Sequence, residues 1–90
     1  MSNGVEDTGT YAADHWPQFR RMMDGRHYYK LVSPGHFLEL QAVGRRWVLH
    51  EVLATAYPEM LRVQEMLQCL DGRYDAVSER EWEERFEQVG

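Results

Sequence analysis

Few side chains in this sequence are suited to chemistry. His15, His27, His36, His50 and Cys69 are the types that ligate metals or move protons near neutral pH. None stands in a recurrent ligand spacing such as C-x-x-C or H-x-x-x-H. Glu39 and His50 would meet across two strands and offer a cation two ligands, yet a cross-strand charge pair accounts for the same meeting. The sequence therefore points to no metal site and no cofactor. Cys69 stands beside Leu67 and Leu70 in an apolar helical stripe, where thiols pack rather than react. Ser33 reads as a turn residue and Ser78 as a helix cap, and no G-x-S-x-G, P-loop or G-x-G-x-x-G occurs. Glu79, Glu81, Glu83 and Glu84 fall in the first turns of a helix, where its dipole favours negative charge. No residue is assigned a catalytic role, and the reading is not an enzyme.

Cations offer a second chemistry. Residues 20–50 hold Arg20, Arg21, Arg26, Lys30, Arg45 and Arg46 against Asp24 and Glu39, a balance of +4. Residues 51–90 carry −6 and residues 1–19 carry −3, so the net −5 conceals a gradient. Arg20, Arg21, Arg26, Arg45 and Arg46 form a possible anion-binding set, with Tyr28 an aromatic that could stack on a base. A nucleic-acid or anion binder is the alternative reading. It stands second because the chain is acidic overall and lacks helix-turn-helix, zinc-finger and RNP signatures.

These residues need elements to position them. Residues 1–12 are polar and aperiodic and read as a flexible tail; residues 13–90 read as one small domain. A short helix is expected over residues 16–24, capped by Asp14, with Trp16, Phe19, Met22 and Met23 at helical spacing and Asp24-Gly25 as its stop. Wound as a helix, residues 36–52 scatter Glu39, Gln41, Arg45, Arg46, His50 and Glu51 around the whole circumference. Folded about Gly44-Arg45 as a type II′ hairpin, they pair Ala42 with Trp47, Leu40 with Leu49, Leu38 with Glu51, Glu39 with His50, and Phe37 with Val52. Ser33-Pro34-Gly35-His36 has turn chemistry and would join a strand over residues 27–32 with Val32 opposite Phe37. Tyr29 and Leu31 would then share one apolar face with Leu38, Leu40, Trp47 and Leu49. Lys30 would share the other face with Glu39 and His50.

Downstream, Pro58 suits a helix start, Met60, Val63, Leu67 and Leu70 make a stripe, and Asp71-Gly72 ends it. Residues 73–77 read as a short extended piece. Ser78 and Glu81 form a capping box for a last helix carrying Trp82, Phe86 and Val89. The expected fold class is α+β: a three-stranded antiparallel meander packed by helices, in the order α-β-β-β-α-β-α.

Composition limits the function. A hydrophobic share of 43% with 28% charge is that of a globular chain, not a disordered one. A single cysteine cannot form an internal disulfide, and no apolar run approaches the ~18–20 residues that span a bilayer. The polar, acidic start MSNGVEDTGT is not a secretory leader. A cytoplasmic protein, with no membrane association, is the expectation. Nine arginines, one lysine and no isoleucine suggest a GC-rich bacterial genome. With helices on one sheet face, Tyr28, Lys30, Phe37, Glu39, Val48, His50 and Val52 would form a part-apolar, part-ionic surface on the other. The function expected is a non-catalytic accessory or regulatory interaction domain binding a protein partner or itself, as a homodimer, through that face. Charge on His50 beside Glu39 would make the contact pH-sensitive.

Overall fold

A computed structural model describes residues 15–69 and 72–89. The elements in chain order are β1 (Gln18–Met22), β2 (His27–Ser33), β3 (His36–Val43), β4 (Arg46–Leu53), α1 (Tyr57–Gln68), β5 (Tyr74–Ala76) and α2 (Glu79–Phe86). The strands form one antiparallel sheet in the order β4-β3-β2-β1-β5. The α+β class expected from the sequence is thus found, but the sheet has five strands rather than three. Among the described residues no helix is long and apolar enough to cross a membrane. The expected tail over residues 1–12, the Asp14 cap, and Leu70 and Asp71 at the end of the first stripe lie outside the described residues.

The first expected helix is a strand. Phe19 and Arg21 project to one face of β1, and Gln18, Arg20 and Met22 to the other, so its apolar residues fall on both parities. A strand buried on both sides loses the alternation that would identify it, and five residues fit a helical period equally well. Asp24-Gly25 is the turn of a hairpin, not a helix stop. Gly25 takes φ +73° and donates its N–H to the Met22 carbonyl at 2.9 Å, while Asp24 Oδ1 accepts from Arg26 N–H at 2.8 Å.

The β3–β4 hairpin has the register that its turn chemistry demands. Val43 pairs with Arg46, Ala42 with Trp47, Leu40 with Leu49, Glu39 with His50 and Phe37 with Val52. Gly44 sits at φ +64°, the left-handed value required at the first central position of a type II′ turn.

The β2–β3 pair departs from expectation by one residue. Ser33 pairs with His36, but the next partner of Phe37 is Leu31, not Val32. Val32 is the extra residue of a β-bulge, and side-chain parity along all of β2 inverts upstream of it. Tyr29 and Leu31 therefore join Phe37, and Tyr28 and Lys30 join Leu38 and Leu40. Both faces become apolar and each takes a helix. On one, Tyr29, Leu31, Phe37 and Tyr74 pack against Val63, Met66 and Leu67 of α1. On the other, Phe19, Tyr28 and Leu40 pack against Trp82 of α2, with Leu38, Trp47 and Val77 at the margin.

Both helices are locked by polar contacts. Within α1 the buried stripe is Val63, Met66 and Leu67; Met60, expected inside, is exposed. Cys69 takes a left-handed cap conformation at φ +50°, so the described helix closes before Asp71-Gly72. Arg20, only 8% exposed, donates Nε to the Met66 carbonyl at 2.7 Å and Nη2 to the Leu67 carbonyl at 3.3 Å. Its remaining bonds reach the Phe19 carbonyl at 2.9 Å and Gln18 Oε1 at 2.7 Å. A cation at a helix C-terminus satisfies orphan carbonyls and opposes the dipole. In α2, Ser78 Oγ accepts the Glu81 N–H at 3.1 Å, the first half of the expected capping box. The Glu81 carboxylate turns instead to the Tyr28 hydroxyl at 3.0 Å and Arg21 Nη1 at 3.5 Å, tying the helix to the sheet.

Substituting Arg20→Met should lower stability by about 2–4 kcal/mol, because two carbonyls at the end of α1 lose a charged donor in a buried setting. Arg20→Lys should recover little, since an ammonium cannot reproduce the guanidinium fork. Urea midpoints of the three proteins measure this.

Candidate functional site: an open sheet edge

With both faces covered, the accessible polar backbone of the sheet lies at its edges. One edge is β5, three residues long; the other is β4, eight residues long. Short edge strands offer little to pair with, whereas a long one offers a row of donors and acceptors. The two-residue hairpin loop makes Val43 and Arg46 a hydrogen-bonded pair, and alternation then fixes the remainder. Arg46, Val48, His50 and Val52 direct their N–H and C=O groups to β3. Trp47, Leu49, Glu51 and Leu53 direct theirs outward. Among the described residues only Val89, beyond α2, meets this outer edge, as a parallel bridge to Trp47. At the strand's end the Leu53 carbonyl accepts the Thr55 N–H at 3.0 Å, so Leu49 and Glu51 are the residues whose outward groups meet no partner among the described residues.

Edge protection along β4 is limited to the charged side chains of Arg46 and Glu51 and the bridge from Val89. The strand has no proline, glycine or lysine, and its register with β3 shows no bulge. Val48, His50 and Val52 line it on the α1 side, with Leu49, Glu51 and Leu53 on the α2 side. Leu49 is 37% exposed and Leu53 63%. Tyr57, Met60 and Leu61, exposed neighbours at the start of α1, follow shortly after. His50 Nε2 lies 3.3 Å from Gln41 Oε1, and His36 Nε2 lies 2.7 Å from Glu51 Oε2.

The surface expected from the sequence is divided by the bulge. Val48, His50 and Val52 stay together on β4. Phe37 is fully buried beneath α1, and Tyr28 is 2% exposed beneath α2, with its ring against Trp47 and the Arg85 guanidinium 5.0 Å from its centroid. Neither can present a contact surface. Lys30 lies on the α2 side, its Nζ 6.0 Å from the Phe19 ring centroid. Glu39 faces His50 in register but bonds elsewhere, accepting from the Tyr29 hydroxyl at 3.2 Å with Arg62 Nη2 at 3.9 Å. The expected Glu39–His50 ion pair is replaced by the Gln41 contact, because α1 brings Arg62 over Phe37 and Tyr29 and takes the carboxylate. The His36–Glu51 pair was missed. Its signal was available, since the two are diagonal neighbours on one face of a correctly registered hairpin.

The five arginines are likewise separated. Arg20 caps α1. Arg21 binds Asp75 at 3.0 Å and Glu81 at 3.5 Å, and its hydrogen bond to Asp75 is the main cause that raises its pKa. Arg26, Arg45 and Arg46 do gather at one end of the sheet, where Arg26 Nη2 donates to the Ala42 carbonyl at 3.0 Å. Among the described residues no group of three or more histidine, cysteine or acidic side chains is placed to hold a metal. No protein-family model, curated protein or solved structure matches this chain.

Tyr29 titrates far from the ordinary phenol range. Burial raises its pKa most, Glu39 raises it further, and Arg62 opposes them. A phenol that resists ionisation only in the folded state contributes stability fully present below the unfolded value of about 10 and lost as pH rises beyond it. Urea unfolding on either side of about pH 10 should show this fall in stability, and Tyr29→Phe should flatten it.

Proposed function

We propose that this protein is a non-catalytic interaction domain that accepts a strand from a protein partner along the outer edge of β4. One observation carries the reading: an eight-residue edge strand in unbroken register with β3, whose outward backbone groups at Leu49 and Glu51 meet no partner among the described residues. Strand addition supplies affinity through main-chain hydrogen bonds, each worth about 0.5–1.5 kcal/mol net, and specificity through alternate side chains. Val48 and Val52 on one side and Leu49 and Leu53 on the other supply the apolar contact, with His50 as a polar group between the valines. The contact surface expected from the sequence thus moves from a sheet face to a sheet edge, while the interaction role is kept.

Arg26, Arg45 and Arg46 at one end of the sheet favour a second reading, the binding of a nucleic acid or another polyanion. Retention on heparin that weakens steeply with salt and disappears in Arg45→Glu/Arg46→Glu would support it.

Site-specific photo-crosslinking separates the edge from the rest of the surface. With p-benzoylphenylalanine at position 49 or 53, irradiated cells expressing the full chain should give discrete higher-mass protein adducts. The same probe at position 64 or 80, on exposed helix surface, should give none. Equal adducts from all four positions, or adducts from the helices alone, would overturn the edge as the contact surface.

A further inference from the structure

We infer that the end of the sheet carrying the β1–β2 and β3–β4 turns binds single-stranded nucleic acid through its phosphates, along a line of four arginines, Arg73, Arg26, Arg45 and Arg46. The inference rests on the polyanion reading above, not on the β4 edge, and adds Arg73, the class of ligand and its path.

Main-chain hydrogen bonds set these arginines side by side. The Arg73 carbonyl accepts the Met23 N–H at 2.9 Å, which places Arg73 beside the β1–β2 turn. The Arg26 carbonyl accepts the Ala42 N–H at 2.9 Å, and Arg26 Nη2 donates back to the Ala42 carbonyl at 3.0 Å. Val43 pairs with Arg46 across the last loop, with Arg45 at its tip. All four arginines are exposed. Their line crosses the sheet from β5 to β4, a width of ~19 Å at the usual strand spacing. At ~3.4 Å of strand per charge, that is the length of at most about six nucleotides.

Charge and backbone chemistry select the ligand. Asp24 is the one carboxylate in these turns, and it is engaged within its own loop, accepting the Arg26 N–H at 2.8 Å and facing His27 Nδ1 at 3.1 Å. Four arginines less Asp24 leave the line at +3. The net −5 of the chain is felt weakly there, since charges beyond a Debye length of ~10 Å at 0.1 M salt are screened. Met23 and Val43, 55% and 47% exposed, alternate with the arginines along the line. A single strand, whose phosphates alternate with unstacked base faces, matches that alternation, whereas a duplex hides its base faces. An acidic peptide fits less well. It would gain by main-chain pairing, and here the N–H groups of Met23, Gly25, Arg26 and Ala42 already have acceptors. The two turns hold no aromatic residue and offer the bases nothing but Met23 and Val43, so the contact is made to phosphate and carries no sequence preference.

Fluorescence anisotropy of a labelled oligothymidylate of about 12 nucleotides, titrated with the full chain, tests the inference. Affinity should fall with salt at a log–log slope of about −3, because each single-strand phosphate neutralised contributes ~0.7. Arg73→Gln and Arg45→Gln should each reduce that slope by about 0.7 and weaken binding about fivefold. Arg80→Gln, whose side chain is 89% exposed on α2, should change neither. An unchanged slope in Arg73→Gln would overturn the path across the sheet end. Tighter binding to a duplex of the same length, or to polyglutamate of the same charge, would overturn the single strand as ligand. Retention on heparin without oligonucleotide binding would leave the polyanion reading standing and remove the nucleic acid, and the absence of both would remove both. Photo-adducts from the β4 edge are independent of every one of these results.

Discussion

One supernumerary residue in β2 governs the architecture. Val32 has no partner in β3, and the pairing slips by one between Ser33 and Leu31. Because side chains alternate with a period of two, that slip sends Tyr28 to the face opposite the one it would otherwise share with Phe37. Each sheet face then carries large aromatic surface, and a sheet with two apolar faces is stable only between two layers. The placement of α1 and α2 on opposite sides follows from this.

Covering two faces with ninety residues divides the apolar material into two small cores. Each relies on polar fastenings. Arg20 reaches from β1 to the last carbonyls of α1, and Glu81 reaches from α2 to Tyr28 and Arg21 on the sheet. Arg62 crosses from α1 to Glu39 over two aromatic rings. Residues that look available for binding when taken singly are therefore spent on holding helices to the sheet. The arginine-rich segment shows this most clearly: of its five arginines, the two on β1 serve the fold.

With faces and buried cations committed, backbone hydrogen-bonding capacity along β4 is what the structure leaves to offer. A sheet closed on one side by a three-residue strand and left long on the other is asymmetric in its reactivity toward further strands. Among the described residues Val89 covers Trp47 and the Thr55 N–H takes the Leu53 carbonyl, which shortens the open stretch to Leu49 through Glu51 and so restricts how another strand could align. An interaction through that edge would unite the exposed leucines, the His50 row and the uncovered backbone in one physical account.

Local chemistry in the sequence determined the β3–β4 hairpin, whose register follows from glycine at the first loop position and from the pairing of residues on either side. It also determined the short β5, the Ser78 cap and the burial of Trp82. Residues 16–24 fit a helical period because a strand covered on both sides shows no alternation, and the partners of β1, which are β2 and β5, lie elsewhere in the chain. The bulge at Val32 was equally hidden, since Ser-Pro-Gly-His announces a turn but not how many residues the ladder beyond it will absorb. Parity errors do not stay local: this one moved Phe37 and Tyr28 from an expected surface into two separate cores. The sequence by itself settled what short-range turn and cap chemistry can settle. Which face, which edge and which cations stay accessible was decided only by tertiary packing, because burial is a property of all the layers together.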